Sequence, residues 1–260
     1  MAEIDIQALA QYLNNAELNR TEISKVTLEY PTLDVNLAYD VQHAIVALKQ
    51  AAGHSVVGLK MGLTSQTKMK QMNVTEPIYG HIFDYQILEN DGRLKVNELI
   101  HPRVEAEIGF VLGNDLQGAD VKESDVFRAI QYAFPALDVV DSRFTNFDFT
   151  LPDVVADNAS TARVVVGEKF TSPAGLDLDL LGVTLSINGE IADLGVGAAV
   201  LGHPLKSLTL LVRMLSRRGL GLKAGTIILS GGITRAIHIK PGDLVRARVH
   251  TLGEVGFSVG

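Results

Sequence analysis

The segment His101-Pro102-Arg103-Val104-Glu105-Ala106-Glu107-Ile108-Gly109-Phe110 carries the densest chemical signal in the chain. As a strand it puts Glu105 and Glu107 on one face and Val104, Ala106, Ile108 and Phe110 on the other. Carboxylates that share a dry face repel each other unless a cation sits between them. With Mg²⁺ or Mn²⁺ they become hard oxygen ligands. The competing reading is a solvated strand face with ordinary glutamates. Asp138, in the middle of the apolar run Pro135-Ala136-Leu137-Asp138-Val139-Val140, is the natural third ligand. Three carboxylates plus waters would leave positions open for a bidentate substrate. Its competing role, capping a turn, suits Asp141-Ser142 better. Lys60 lies inside Val56-Val57-Gly58-Leu59-Lys60-Met61-Gly62-Leu63-Thr64. A buried ammonium needs anionic company or a lowered pKa, so Lys60 is a candidate acid/base or electrostatic stabiliser. It reads equally as an edge-strand lysine facing water.

The elements that must position these groups follow from periodicity. Residues 6–18, 37–51, 123–133 and 204–218 have helical spacing, and Ala38, Val41, Ala44, Ile45 and Leu48 form one stripe. Strand character marks residues 56–59, 103–112, 136–140, 163–166, 183–187, 226–229, 244–249 and 255–259. Asn188-Gly189 predicts a hairpin, and Lys240-Pro241-Gly242-Asp243 predicts a turn. Helices first, then mostly strands, predicts an α+β fold with an antiparallel or mixed sheet. It divides as a helical N-terminal region, 1–53, on a β-rich catalytic domain, 54–260. Two small polar loops, Val155-Ala156-Asp157-Asn158-Ala159-Ser160 and Leu229-Ser230-Gly231-Gly232-Ile233-Thr234, can present N–H groups and hydroxyls to a carboxylate, or can be plain turns. His203, ahead of Pro204, either caps the helix that follows or lines the site.

Composition narrows the classes. There are no cysteines, which excludes disulfides, thiolate nucleophiles and cysteine-ligated metal centres. A formal net charge of -7 with no basic stripe argues against nucleic acid as a partner. No GxGxxG, Walker loop or GxSxG is present. Apolar runs such as Leu208 to Val212 are too short to span a bilayer. The first residues lack a positive stretch followed by an apolar core, so no secretory signal is expected. A cytoplasmic protein without membrane partners is the simplest expectation.

Five segments, in order, carry a family resemblance over nearly the whole chain. They are Gly58-Leu59-Lys60-Met61-Gly62-Leu63-Thr64-Ser65, Glu76-Pro77-Ile78-Tyr79-Gly80, Pro102-Arg103-Val104-Glu105-Ala106-Glu107, Asp157-Asn158-Ala159-Ser160 and Leu201-Gly202-His203-Pro204-Leu205. The chain resembles the hydratase/decarboxylase branch of the fumarylacetoacetate hydrolase superfamily. That resemblance implies a mixed β-sandwich or roll. It implies a Mg²⁺ or Mn²⁺ site on Glu105, Glu107 and a later acid, which in this branch is usually glutamate and here is Asp138. Lys60 matches the lysine near the substrate, and Ile78, Arg143, Ser160, Leu201, Gly231 and Thr234 are its implied substrate-binding residues. The implied activity is decarboxylation of 2-oxohex-3-enedioate to 2-hydroxypenta-2,4-dienoate, because Pro77-Ile78-Tyr79-Gly80 follows the decarboxylase pattern where hydratases carry aspartate at the position of Ile78. Hydration of 2-hydroxypenta-2,4-dienoate or of a 2-oxohept-3-enedioate is the alternative, and a non-catalytic metal- or partner-binding module is the alternative of another class. The implied partners are a small 2-oxo dicarboxylic acid, further copies of the chain, and a cognate vinylpyruvate hydratase.

Overall fold

The chain opens with two capped helices. In a computed structural model that describes residues 4–65, 69–70 and 76–260, α1 spans Ile6–Asn19 and α2 spans Val35–Ala51. The Asp5 carboxylate accepts from the backbone N–H groups of Gln7 and Ala8, and Asp34 accepts from Leu37, so each helix begins where an acid can satisfy free donors. Leu9, Leu13, Ala38, Val41 and Ile45 enter the same continuous core as the strands. The buried Gln42 amide ties α2 to the body by donating to the carbonyls of Tyr79 and Val155, at 3.0 and 2.9 Å.

The body is built on two sheets. Among the described residues the larger sheet has eight strands. Its continuous path runs β2 (Ile78–Phe83), β1 (Val56–Gly62), β10 (Ile227–Leu229), β5 (Arg103–Leu112), β6 (Ile130–Val140), β7 (Thr161–Val166), β3 (Ile87–Leu88), with β11 (Ile237–His238) added to β5. The smaller runs β4 (Gly92–Leu94), β13 (Gly253–Val259), β12 (Leu244–Val249), β8 (Gly182–Ile187), β9 (Glu190–Val196). The β8–β9 hairpin turns at Asn188-Gly189, both at positive φ, as that dipeptide favours. Val104, Ala106, Ile108 and Phe110 of β5 share the main core with Leu185, Ala247, Val255 and Phe257 of the smaller sheet. The mixed-sheet architecture with N-terminal helices is the one expected.

Helix α3 covers only Glu123–Ala129. The helix expected over 123–133 is corrected here, because residues 130–133 begin β6, where Tyr132 and Ala133 pair with Val111 and Phe110. Strand pairing overrides the local helical spacing. A short helix α4, Leu151–Ala156, and a longer one, α5, Pro204–Arg217, follow along the chain. His203 caps α5 by accepting from the Leu205 N–H at 3.1 Å. The stretch Gly197–Arg217 is apolar enough in composition to suggest a membrane span. Its helical part has 14 residues, about 21 Å at the usual rise, and Leu205, Leu208, Leu211, Val212 and Leu215 are spent on the core.

Candidate active site

β5 and β6 place the acids. Their antiparallel register sets Glu105 opposite Asp138 and Glu107 opposite Ala136, so the three carboxylates point from one face. A single oxygen from each lies within 4.8 Å of the other two. Glu107 and Asp138 are fully buried, and Glu105 is half-buried at the cavity edge. Lys60 completes the cluster with an ion pair to Asp138. By register Lys60 is level with Leu229, Gly109 and Phe134, four residues from Asp138, or ~13 Å along a strand and ~14 Å across three strand spacings. Extended side chains cannot bridge that diagonal on a flat sheet, so the sheet curls around the site.

Two glycines on the loop after β10 close the floor. The Gly231 N–H donates to Glu107 Oε2 at 2.7 Å, and Gly231 has φ +111. A Cβ there would lie 2.1 Å from Thr64 Oγ1, and one on Gly232 would lie 2.6 Å from the Glu105 carboxylate. The Gly231 N–H, expected to face a substrate carboxylate, is turned instead to the protein's own Glu107.

Electrostatics mark the cluster as a cation site. Burial pushes the Glu107 carboxyl well above the usual range, the Asp138 charge adds to this, and Lys60 opposes it. Glu107 Oε1 is buried with no hydrogen-bond partner among the described residues, which in a dry interior is costly. The set is all hard oxygen, and among the described residues one ammonium, Lys60, faces the three acids. A divalent ion such as Mg²⁺ fits both the ligand chemistry and the charge.

A cavity of about 400 Å³ opens onto this cluster. Lys60, Glu105, Arg103 and Arg235 supply its charges, and Met61, Leu63, Ile78, Val140, Phe147, Phe149 and Val154 supply most of its apolar wall. Ser160 and Ala159 line another side. Ile78 is 3% exposed yet faces the cavity, so it is both packed and in view of a ligand.

The turn that carries Ser160 is strained. Asn158, Ala159 and Ser160 have φ of 51, 53 and 55, left-handed in succession without a glycine. Such residues cost roughly 1–2 kcal/mol each. The turn is held by Asn158, whose side chain accepts from the His81 N–H at 2.7 Å and donates to the His81 carbonyl at 2.8 Å. It is also held by Asp157, which pairs with Arg143.

The substrate-binding role expected of Arg143 does not match its position. It is not among the cavity-lining residues. Its Nε and Nη2 donate to the Asp157 carboxylate and carbonyl, and Nη1 donates to the Asp141 carbonyl at 2.7 Å. Leu201 and Thr234 also lie outside the lining set. The Leu201 N–H fixes the Thr64 carbonyl at 3.0 Å, and Thr234 Oγ1 accepts from the Ala106 N–H at 2.9 Å. All three are hydrogen-bonded to backbone groups of neighbouring segments. Asp141 accepts from the N–H groups of Ile100 and His101, both at 2.8 Å, as a turn cap should. Sequence reasoning missed Arg103, Arg235, Phe147 and Phe149. The aromatic spacing of Phe144, Phe147 and Phe149 in an otherwise polar segment was the available signal.

A sequence profile described as fumarylacetoacetate (FAA) hydrolase C-terminal matches residues 86–259. The chain belongs to the fumarylacetoacetate hydrolase family. Within that family it is 45% identical, over 250 residues, to a 4-oxalocrotonate decarboxylase of Pseudomonas putida, covering 96% of this chain and 95% of the relative. It is 39% identical over 246 residues to a 2-keto-4-pentenoate hydratase of Paraburkholderia xenovorans (strain LB400), covering 95% and 91%. The solved structure of the 4-oxalocrotonate decarboxylase from Pseudomonas putida G7, complexed with magnesium and adipate, superposes with a TM-score of 0.97 at 45% identity, covering 100% of this chain and 99% of that one. The family fold expected from the motifs is thus the fold observed.

Proposed function

We propose that this chain decarboxylates 2-oxohex-3-enedioate to 2-hydroxypenta-2,4-dienoate with a divalent metal ion, Mg²⁺ or Mn²⁺, held by Glu105, Glu107 and Asp138. The observation that carries the reading is the near-full-length identity to a decarboxylase of that name, joined to a cavity wall that has isoleucine at position 78. When bound, the ion supplies Lewis-acid stabilisation of negative charge on the 2-oxo oxygen.

The chain's own residues do the rest. Gly231 locks Glu107 by its N–H, leaving Oε1 as a ligand atom. In the reaction the C5–C6 bond breaks and CO₂ departs. Its electron pair becomes the C4–C5 double bond, the C3–C4 pair shifts to C2–C3, and the 2-oxygen takes a proton. In this reading Lys60 Nζ, paired with Asp138 at the cluster, stabilises that oxygen and delivers the proton. The apolar wall around Ile78, Phe147 and Phe149 keeps water from the conjugated chain. Ile78 offers neither a base nor a hydrogen bond to activate water, which favours loss of CO₂ over hydration. The test is CO₂ release from the dicarboxylate in the presence of Mg²⁺ or Mn²⁺. Turnover of 2-hydroxypenta-2,4-dienoate to a 4-hydroxy product, without CO₂ release from the diacid, would make the protein a hydratase.

A further inference from the structure

We infer that Arg103 receives the second carboxylate of the substrate and sets a preference for a diacid over a 2-oxo acid with an apolar tail. The inference rests on the decarboxylase reading above and deepens it.

Arg103 begins β5 and shares the strand face of Glu105 and Glu107 by alternation. From Arg103 to the midpoint of the glutamate pair is about 10 Å along the strand. A six-carbon diacid spans ~6 Å between carboxyl carbons. Adding about 2 Å for a metal–oxygen bond and about 3 Å for a hydrogen bond gives a matching reach. The wall between the two ends is apolar, with Val140, Phe147 and Phe149, which suits the carbon chain.

Its guanidinium is prepared for the task. The Arg103 Cζ lies over the Phe147 ring, 4.0 Å from its centroid, a cation–π contact that helps hold the guanidinium at the cavity wall, where its N–H fork suits a carboxylate. Among the described residues no acid forms an ion pair with Arg103. The other guanidinium at the cavity, Arg235, is already committed. Its backbone N–H and Nε donate to Asp193 at 2.8 and 3.1 Å, and its side chain is 79% exposed.

The experiment is calorimetric titration of the Mg²⁺-loaded protein with 2-oxoadipate, 2-oxohexanoate and oxalate. The wild type should bind the diacid at least ~10-fold tighter than 2-oxohexanoate. Arg103→Met should weaken the diacid by roughly 10- to 100-fold and leave 2-oxohexanoate and oxalate unchanged. Arg103→Lys, which keeps charge and fold but not the paired N–H fork, should fall between. Arg235→Gln should keep the preference. Equal weakening of all three ligands by Arg103→Met, transfer of the effect to Arg235→Gln, or a wild type that does not distinguish the two longer acids would overturn the proposal. Failure of the wild type to bind any of the three ligands with Mg²⁺ would instead overturn the functional reading beneath it.

Discussion

Arg143 and Asp157 form an ion pair inside the protein, with side chains only 4% and 1% exposed, behind the left-handed turn that brings Ser160 to the cavity. The pair anchors a strained segment that the backbone would otherwise relax. Arg143→Met leaves the buried Asp157 carboxylate without its cationic partner, and should cost roughly 3–5 kcal/mol of stability. Denaturant titration checks this. In a variant that stays folded, oxalate affinity with Mg²⁺ should change little while kcat falls, because Arg143 acts through the turn.

Glu107→Gln should act in opposite directions on stability and on metal binding. Without metal it replaces a carboxyl whose charged form burial and the Asp138 charge disfavour with a neutral amide of the same shape, so the apo protein should be as stable as the wild type or more so. With Mg²⁺ it removes a ligand, and affinity should drop at least ~10-fold. Melting curves with and without Mg²⁺ read both effects. A wild-type metal response in the variant would take Glu107 out of the ligand set.

Asp138 has two duties, the acid cluster and the Lys60 ion pair. Asp138→Ala should therefore be worse than Asp138→Glu, both for Mg²⁺ affinity and for folding, since it strands a buried ammonium. The glutamate keeps a carboxylate at the position and should keep measurable CO₂ release.

Ile78→Asp places a charge where the side chain is packed against Gly62 and faces the ligand cavity. Because one side opens to the cavity, the protein should fold with a stability loss of about 1–3 kcal/mol. Decarboxylation should fall at least ~10-fold. Circular dichroism beside CO₂ release separates the outcomes, and complete unfolding would show that packing alone governs the position.

His81 predicts a pH dependence of stability. Burial, with His43 adding to it, pushes its pKa down to about 3, below an unfolded value near 6.5. The folded state therefore holds the ring neutral. Its contribution is complete above pH ~6.5 and declines as pH falls from there toward 3, by about 1.4 kcal/mol per pH unit. Asp157, pushed up to about 6 by burial against the pull of Arg143, acts in the opposite sense below pH 6. The difference between wild type and His81→Leu isolates the histidine. The variant should show the shallower acid limb in a melting-temperature series.

Much of the chemistry was legible along the chain because it is local. Alternation alone put Glu105 and Glu107 on one face, and the expected limits of that strand, 103–112, are those observed. The apolar run around Asp138 pointed to a buried acid, whereas the run around Lys60 fitted a buried ammonium and an edge-strand lysine equally well, and the fold buries both. Asn188-Gly189 announced its hairpin because few other residues accept positive φ there. What periodicity cannot carry is which strands become neighbours. The pairing of β5 with β6 in the register Glu105 opposite Asp138, and the curl that brings Lys60 from β1 to the same cluster, are decided by packing between segments far apart in sequence. The same holds for Arg143, which the family resemblance implied as a substrate contact and which the fold holds against Asp157, and for Arg103, whose place near a strand end revealed nothing until Phe147 was set against it. Residue types and their two-residue period set the candidate ligands, while register, curvature and loop strain, all non-local, set the site.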